Sequence, residues 1–116
     1  MKAAFITGHG GNEVVRVRAH HLPERTPGDV RVRMRAATLN QVDLYMRNSG
    51  AGITHRLPQI MGLDGAGTIE ACDASDPLLH TGQAVVIHPG IACGRCEFCQ
   101  HGDSALCARI QFLGEH

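Results

Sequence analysis

Four of the five cysteines fall in one run, Cys93, Cys96, Cys99 and Cys107, spaced C-x2-C-x2-C-x7-C. Cysteines this close together on a turn can aim their sulfurs at one point. Four thiolates around Zn²⁺, each at about 2.3 Å, make a closed structural site with no open position for a substrate. Such a centre is dianionic. Gly94 and Gly102 leave room for backbone N–H groups beside the sulfurs, and Arg95 and Arg109 can offset the charge. An iron–sulfur run opens in the same way but continues x3-Cys-Pro. Here the fourth cysteine follows seven residues and is itself followed by Ala108. Redox-active thiols without metal are the third reading. The odd cysteine total and the tight spacing argue against a disulfide framework. Cys72, alone in an apolar stretch, reads as a buried structural thiol.

Other side chains could do acid–base or hydrogen-bonding chemistry, and each also has a plain structural reading. Asn40 can donate an amide N–H to a substrate oxygen, yet it is also a good helix N-cap. Asp43, three residues on, suits the first helical turn. Tyr45 can donate a proton or simply pack. Asp64, set among glycines, can orient a neighbour or satisfy loop amides. The eight histidines offer no pair at i, i+4, and His20, His21, His55, His80 and His101 read as ordinary surface residues. No G-x-G-x-x-G follows a strand and no G-K-[ST] follows a glycine run, so residues that would hold most of a nucleotide cofactor are missing. Gly65-Ala66-Gly67 reads as backbone that must pack closely.

The elements that must position these groups are mostly strands. Ala3–Ile6 is short and apolar, and Val15–Arg18 alternates with period two. Thr26-Pro27-Gly28-Asp29 has the residue order of a type II turn. Val30, Val32, Met34 and Ala36 alternate with Arg31, Arg33 and Arg35, which predicts a long strand with one buried and one wet face. The arginines read as that wet face rather than as a phosphate-tracking surface. Leu39, Val42, Tyr45 and Met46 predict a short helix over 40–48, stopped by Asn48-Ser49-Gly50. A loop follows over 51–61, then a strand at Thr68–Ala71, a turn-like stretch from Asp73 to Gly82 that includes Asp76-Pro77, and a β run at Ala84–Ile87. The cysteine run is then an excursion on the surface of a single β-rich domain.

The chain has 116 residues, 43% of them hydrophobic and 19% charged, which suits one globular core and argues against disorder. It is too short for a dinucleotide-binding domain together with a separate substrate domain. No apolar run reaches the roughly 20 residues of a membrane helix, and the stretch before Gly8 is too short for a signal-peptide core. The expectation is a soluble, cytoplasmic chain with no membrane partner. Net charge is zero, although residues 1–58 hold nine Lys/Arg against four Asp/Glu and residues 59–116 hold two against seven. With one Tyr, three Phe and no Trp there is no stacking platform, and no nucleic-acid partner is expected.

Three features in this order resemble the N-terminal part of the medium-chain dehydrogenase/reductase family. His88-Pro89-Gly90-Ile91-Ala92-Cys93-Gly94-Arg95-Cys96-Glu97-Phe98-Cys99 through Cys107 resembles the family's structural zinc loop. Pro58 to Gly67 resembles its P-x-x-x-G-x-[ED]-x-x-G segment, and Ala36 to Asp43 its strand-to-helix entry to the active site. The resemblance spans nearly the whole chain, and Leu113-Gly114-Glu115-His116 resembles the stretch just before the domain continues. It implies a mainly β fold with one or two short helices, a partly open GroES-like β-barrel carrying a zinc lobe at about 88–110. It also implies that the chain is a piece of this catalytic domain, incomplete at its C-terminal end, and that the NAD(P)-binding Rossmann domain lies beyond it.

In the alcohol dehydrogenase branch a catalytic zinc takes Cys at the position of Asn40 and His at that of Leu63. The proton-relay positions match Val42 and Tyr45. All four differ here, and two lost ligands imply an empty catalytic metal site. Asn40, Asp43 and Asp64 instead resemble the quinone oxidoreductase branch. The expectation is an NAD(P)H-dependent reductase of a small carbonyl or quinone, homo-oligomeric when full length. Asn40, Tyr45 and Asp64 would be its catalytic candidates, and Zn at Cys93, Cys96, Cys99 and Cys107 would be purely structural. Alone, the piece is expected to be inactive. The alternatives are an alcohol dehydrogenase with substituted ligands, and a stand-alone GroES-like zinc module used for association.

Overall fold

Alternating Val15-Arg16-Val17-Arg18-Ala19 pairs antiparallel with Lys2–Ile6, so that β1 (Lys2–Ile6) and β2 (Val15–Ala19) form a hairpin with Lys2 opposite Ala19 and Ile6 opposite Val15. The computed structural model describes residues 1–52, 55–73 and 77–115; the middle of the expected 51–61 loop and the expected turn at Asp76 lie outside them. Strand β3 (Arg31–Ala37) and helix α1 (Gln41–Ser49) follow. Next come β4 (Gln59–Ile60), β5 (Gly65–Ala71) and β6 (Ala84–Ile87). The lobe contributes β7 (Gly90–Ile91), α2 (Glu97–Gln100) and β8 (Gln111–Phe112). Two three-stranded sheets result, ordered β2-β1-β4 and β3-β5-β6, with a separate β7-β8 ribbon. All the pairings are antiparallel. The fold is mainly β with two short helices and open sheets, as expected.

Local signals act as read. Asp29 N–H closes the Thr26 turn at 3.0 Å, and Gly50 ends α1 in the left-handed conformation with its N–H on the Met46 carbonyl. Two expectations need correction. Strand β5 starts at Gly65, not Thr68, because Gly65 and Gly67 pair with Ala37 and Met34. A Cβ at Gly67 would run into the Arg33 carbonyl oxygen, so glycine is what lets the two strands approach. Strand β3, in turn, lacks a buried face: Arg31 and Val32 are half-buried and Arg33 to Ala37 are exposed. A register shift between Met34 and Ala36 interrupts the alternation, and nothing among the described residues covers its apolar side. Among the described residues the buried apolar side chains are few: Phe5, Ile6, Met46, Leu63, Ile69 and Cys107. They lie on β1, α1, β5, the loop before β5, and the lobe. No helix of the described residues is long and apolar enough to cross a membrane.

Candidate metal centre and candidate active site

The lobe is a sequence of tight turns that returns on itself. Cys93 and Cys96 flank the turn entering α2, Cys99 sits on α2, and Cys107 ends the 3₁₀ turn Ser104–Leu106. Their four sulfurs lie within 4.8 Å of one another. Cys96 and Cys99 are 3.4 Å apart, and Cys93 and Cys99 4.0 Å. Four sulfurs at ~2.3 Å from a tetrahedral ion stand ~3.8 Å apart, so these spacings fit zinc closely. Cys93 is drawn down to about 6, first by the Arg95 N–H. Cys96 is lowered by the Cys99 N–H. Burial and then the Cys96 sulfur push Cys99 up to about 11. Sulfurs this close cannot all hold their charge unless a cation joins them.

The donors around the sulfurs only partly match expectation. Cys107 Sγ accepts from the Cys93 and Arg109 N–H groups, each at 3.4 Å, and the Arg109 guanidinium reaches Cys93 Sγ at 3.5 Å. Arg95 contributes its N–H, and the Gly94 N–H lowers Cys99. Gly102 does not serve a sulfur; it donates to the Cys99 carbonyl at 3.2 Å. Cys72 is half-buried and donates to the Leu79 carbonyl at 3.5 Å.

A second cluster forms where β3 runs into α1. Asn40 precedes the helix in extended conformation, and Asp64 lies in the turn before β5. The fold brings them together across 24 residues of sequence: Asn40 Nδ2 donates to Asp64 Oδ1 at 3.1 Å. The same amide nitrogen lies 3.0 Å from Thr38 Oγ1, and because the Thr38 hydroxyl donates to that Asp64 oxygen, the two acceptors stand side by side and share one Asn40 N–H. Thr38 was not among the sequence candidates; only its position two residues before Asn40 on an extended chain hinted at it. Asn40 also caps α1 in a capping box with Asp43, and Asp43 N–H lies 3.1 Å from the Asn40 carbonyl.

Thr38 and Asp64 edge a cleft of about 480 Å³ lined mainly by apolar side chains, among them Met34, Leu39, Ile60, Leu63 and Ile87. Tyr45 is 53% exposed on α1 and does not line the cleft. Leu63 is buried. Asn40, Leu63 and Asp64 offer no thiolate or imidazole, and among the described residues only the four cysteines group as metal donors. His55 departs from its expected surface role: both ring nitrogens are buried without a hydrogen-bond partner, and its ring lies 5.4 Å from that of His9. His9 Nδ1 donates to the Met46 carbonyl at 2.7 Å. Adjacency to loop glycines concealed this pair in the sequence.

Comparison with known proteins gives the chain a family. The family model for the alcohol dehydrogenase GroES-like domain matches residues 26–115. A sorbitol dehydrogenase of Bacillus subtilis is 31% identical over 115 residues, 97% of this chain and 32% of that protein. The crystal structure of an NAD-dependent alcohol dehydrogenase matches with a TM-score of 0.90 and 42% identity, covering all of this chain and 34% of that one. A cobalt- and zinc-bound thermostable alcohol dehydrogenase from Pyrobaculum aerophilum matches with a TM-score of 0.81 and 27% identity, over 100% of this chain and 34% of that one. The chain spans about a third of the length of these relatives. It belongs to the alcohol dehydrogenase GroES-like family of medium-chain dehydrogenases/reductases.

Proposed function

We propose that this chain is the substrate-side domain of an NAD(P)H-dependent oxidoreductase that reduces a quinone or an α,β-unsaturated carbonyl without a catalytic metal, and that the cysteine lobe holds one structural zinc. The donor set supports the reading: four convergent thiols in the lobe, and in the cleft Asp64 and a buried Leu63, with Asn40 just outside the lining and bonded to Asp64. Without a Lewis acid an alkoxide is poorly stabilised, whereas a conjugated carbonyl spreads the charge that arrives with hydride. A nicotinamide cofactor, held by residues outside this chain, supplies the hydride. Asn40 offers one amide N–H to the substrate oxygen, while the N–H shared by Asp64 and Thr38 keeps the amide oriented. Asn40→Ala should then lower kcat by about 10²-fold. The proton comes from solvent, because Tyr45 does not line the cleft, and Tyr45→Phe should leave kcat unchanged. The complete enzyme is read as a cytoplasmic homo-oligomer.

The decisive measurement is zinc per chain in the complete polypeptide, together with NADH and NADPH oxidation against quinones, enones, aldehydes and ketones. One zinc, lost on Cys93→Ser, with turnover of conjugated carbonyls is the expected result. The relatives, dehydrogenases of alcohols and polyols, favour a second reading, an alcohol dehydrogenase with substituted ligands. Two zinc ions per chain and oxidation of a simple alcohol would establish that reading and remove the first.

A further inference from the structure

Asp43 is 1% exposed, the one buried charged residue among those described. Burying a carboxylate is costly unless its oxygens are hydrogen-bonded. Here Oδ2 accepts from the Asn40 N–H at 2.8 Å and Oδ1 from the Gly62 N–H at 2.7 Å. The first bond is local, three residues back, and answers the helix N-terminus as a first-turn carboxylate should. The second is not explained by the helix. Gly62 lies on the loop that carries Leu63 and Asp64 into the cleft, so one carboxylate grips both backbone segments from which Asn40 and Asp64 project. Thr38 N–H on the Asp64 carbonyl at 3.4 Å adds a weaker tie between the same segments.

We propose that Asp43 is a positioning residue for the reaction: its two oxygens fix the spacing between the Asn40 and Gly62 backbones, and thereby hold the Asn40 amide against Asp64 Oδ1. Asp43 does not touch the substrate. The inference rests on the functional reading above for its kinetic consequence, and on geometry alone for its structural part. An asparagine in this place keeps one acceptor and turns an NH₂ toward the second N–H, so one of the two backbones is released.

The test uses the complete polypeptide. In the isotope-labelled wild type, couplings through the hydrogen bonds should link the Asn40 and Gly62 amide nitrogens to the Asp43 carboxyl carbon. Failure to see the Gly62 coupling overturns the proposal, whatever any variant does. In Asp43→Asn, kcat per folded molecule for carbonyl reduction should fall by about 10²-fold through misplacement of Asn40. KM for the nicotinamide cofactor should change less than about twofold. Full kcat per folded molecule would make Asp43 merely structural and overturn the proposal, as would an equal rise in cofactor KM. If Asp43→Asn does not accumulate, Asp43→Glu keeps both oxygens but displaces them by about one C–C bond (~1.5 Å) and is judged by the same criteria. A wild type that reduces no carbonyl sinks the functional reading, and the Gly62 coupling then decides the geometric part by itself.

Discussion

Arg109 touches two of the four sulfurs, Cys107 through its backbone N–H and Cys93 through its guanidinium. A dianionic Cys₄ centre with a cation at one corner holds its metal better than one without, and donors around metal ligands typically contribute 10–100-fold in affinity. Arg109→Met keeps the backbone bond and removes only the charge. It should speed zinc loss to a chelator by about tenfold, whereas Arg95→Met should leave it unchanged; equal rates for all three proteins would refute the assignment. The sequence showed two arginines near the cysteines with no reason to choose between them. The choice depends on how the chain returns from Cys99 to Cys107, through α2 and a 3₁₀ turn that no local pattern encodes. The convergence of the four sulfurs was legible because cysteines so close in sequence meet through local turns. The Thr38–Asn40–Asp64 cluster and the Asp43–Gly62 bond were not, since they join segments 19 to 26 residues apart.

The central sheet depends on how closely its strands approach, and the loops beside it depend on charge. At Gly67 a methyl group would meet the Arg33 carbonyl oxygen and Val32 Cγ1, both on the partner strand. Gly67→Ala should therefore destabilise by about 1–3 kcal/mol in denaturant titration, the usual cost of overpacking. A loss under half of that would mean β3 yields freely. Next to this sheet, Asp73 pairs with Arg25 at 2.5 Å and accepts the Gly28 N–H at 2.7 Å, tying the Thr26 turn to the end of β5. The Arg25 guanidinium, then the Gly28 N–H, hold the Asp73 carboxyl below its ordinary value. A carboxylate more acidic folded than unfolded stabilises above its unfolded pKa, and that contribution disappears as pH falls through the lower folded value. Asp73→Asn should thus melt below wild type at pH 7, with the gap shrinking below about pH 4. A gap constant from pH 7 to pH 2 would disprove the pairing. The hairpin and the turn were readable from alternation and from Pro-Gly; the open face of β3 was not, because alternation predicts which side chains face together and not whether anything covers them.

At the scale of the molecule, surface is in excess. A folded chain of 12.4 kDa ordinarily exposes about 6,100 Å² and has a radius of gyration of about 13.4 Å. This one exposes 8055 Å², with a radius of 15.6 Å. The excess is partly apolar: Val17 is 62% exposed, Leu39 81% and Val86 83%. Strands β2, β3, β4 and β6 are all sheet edges. Unpaired edges beside uncovered apolar side chains template association with further chain, whether from the same polypeptide or from another copy. The 116-residue chain by itself should therefore sediment as concentration-dependent oligomers at micromolar concentration and bind a hydrophobic dye. Charged substitutions at Val17 and Val86 should reduce both effects without unpairing β1 from β2. The stand-alone association module makes the contrasting forecast of one discrete oligomer with a cooperative melt and little dye binding. A monodisperse monomer with a sharp transition would contradict both, because it would require this exposed surface to be stable in water unassisted.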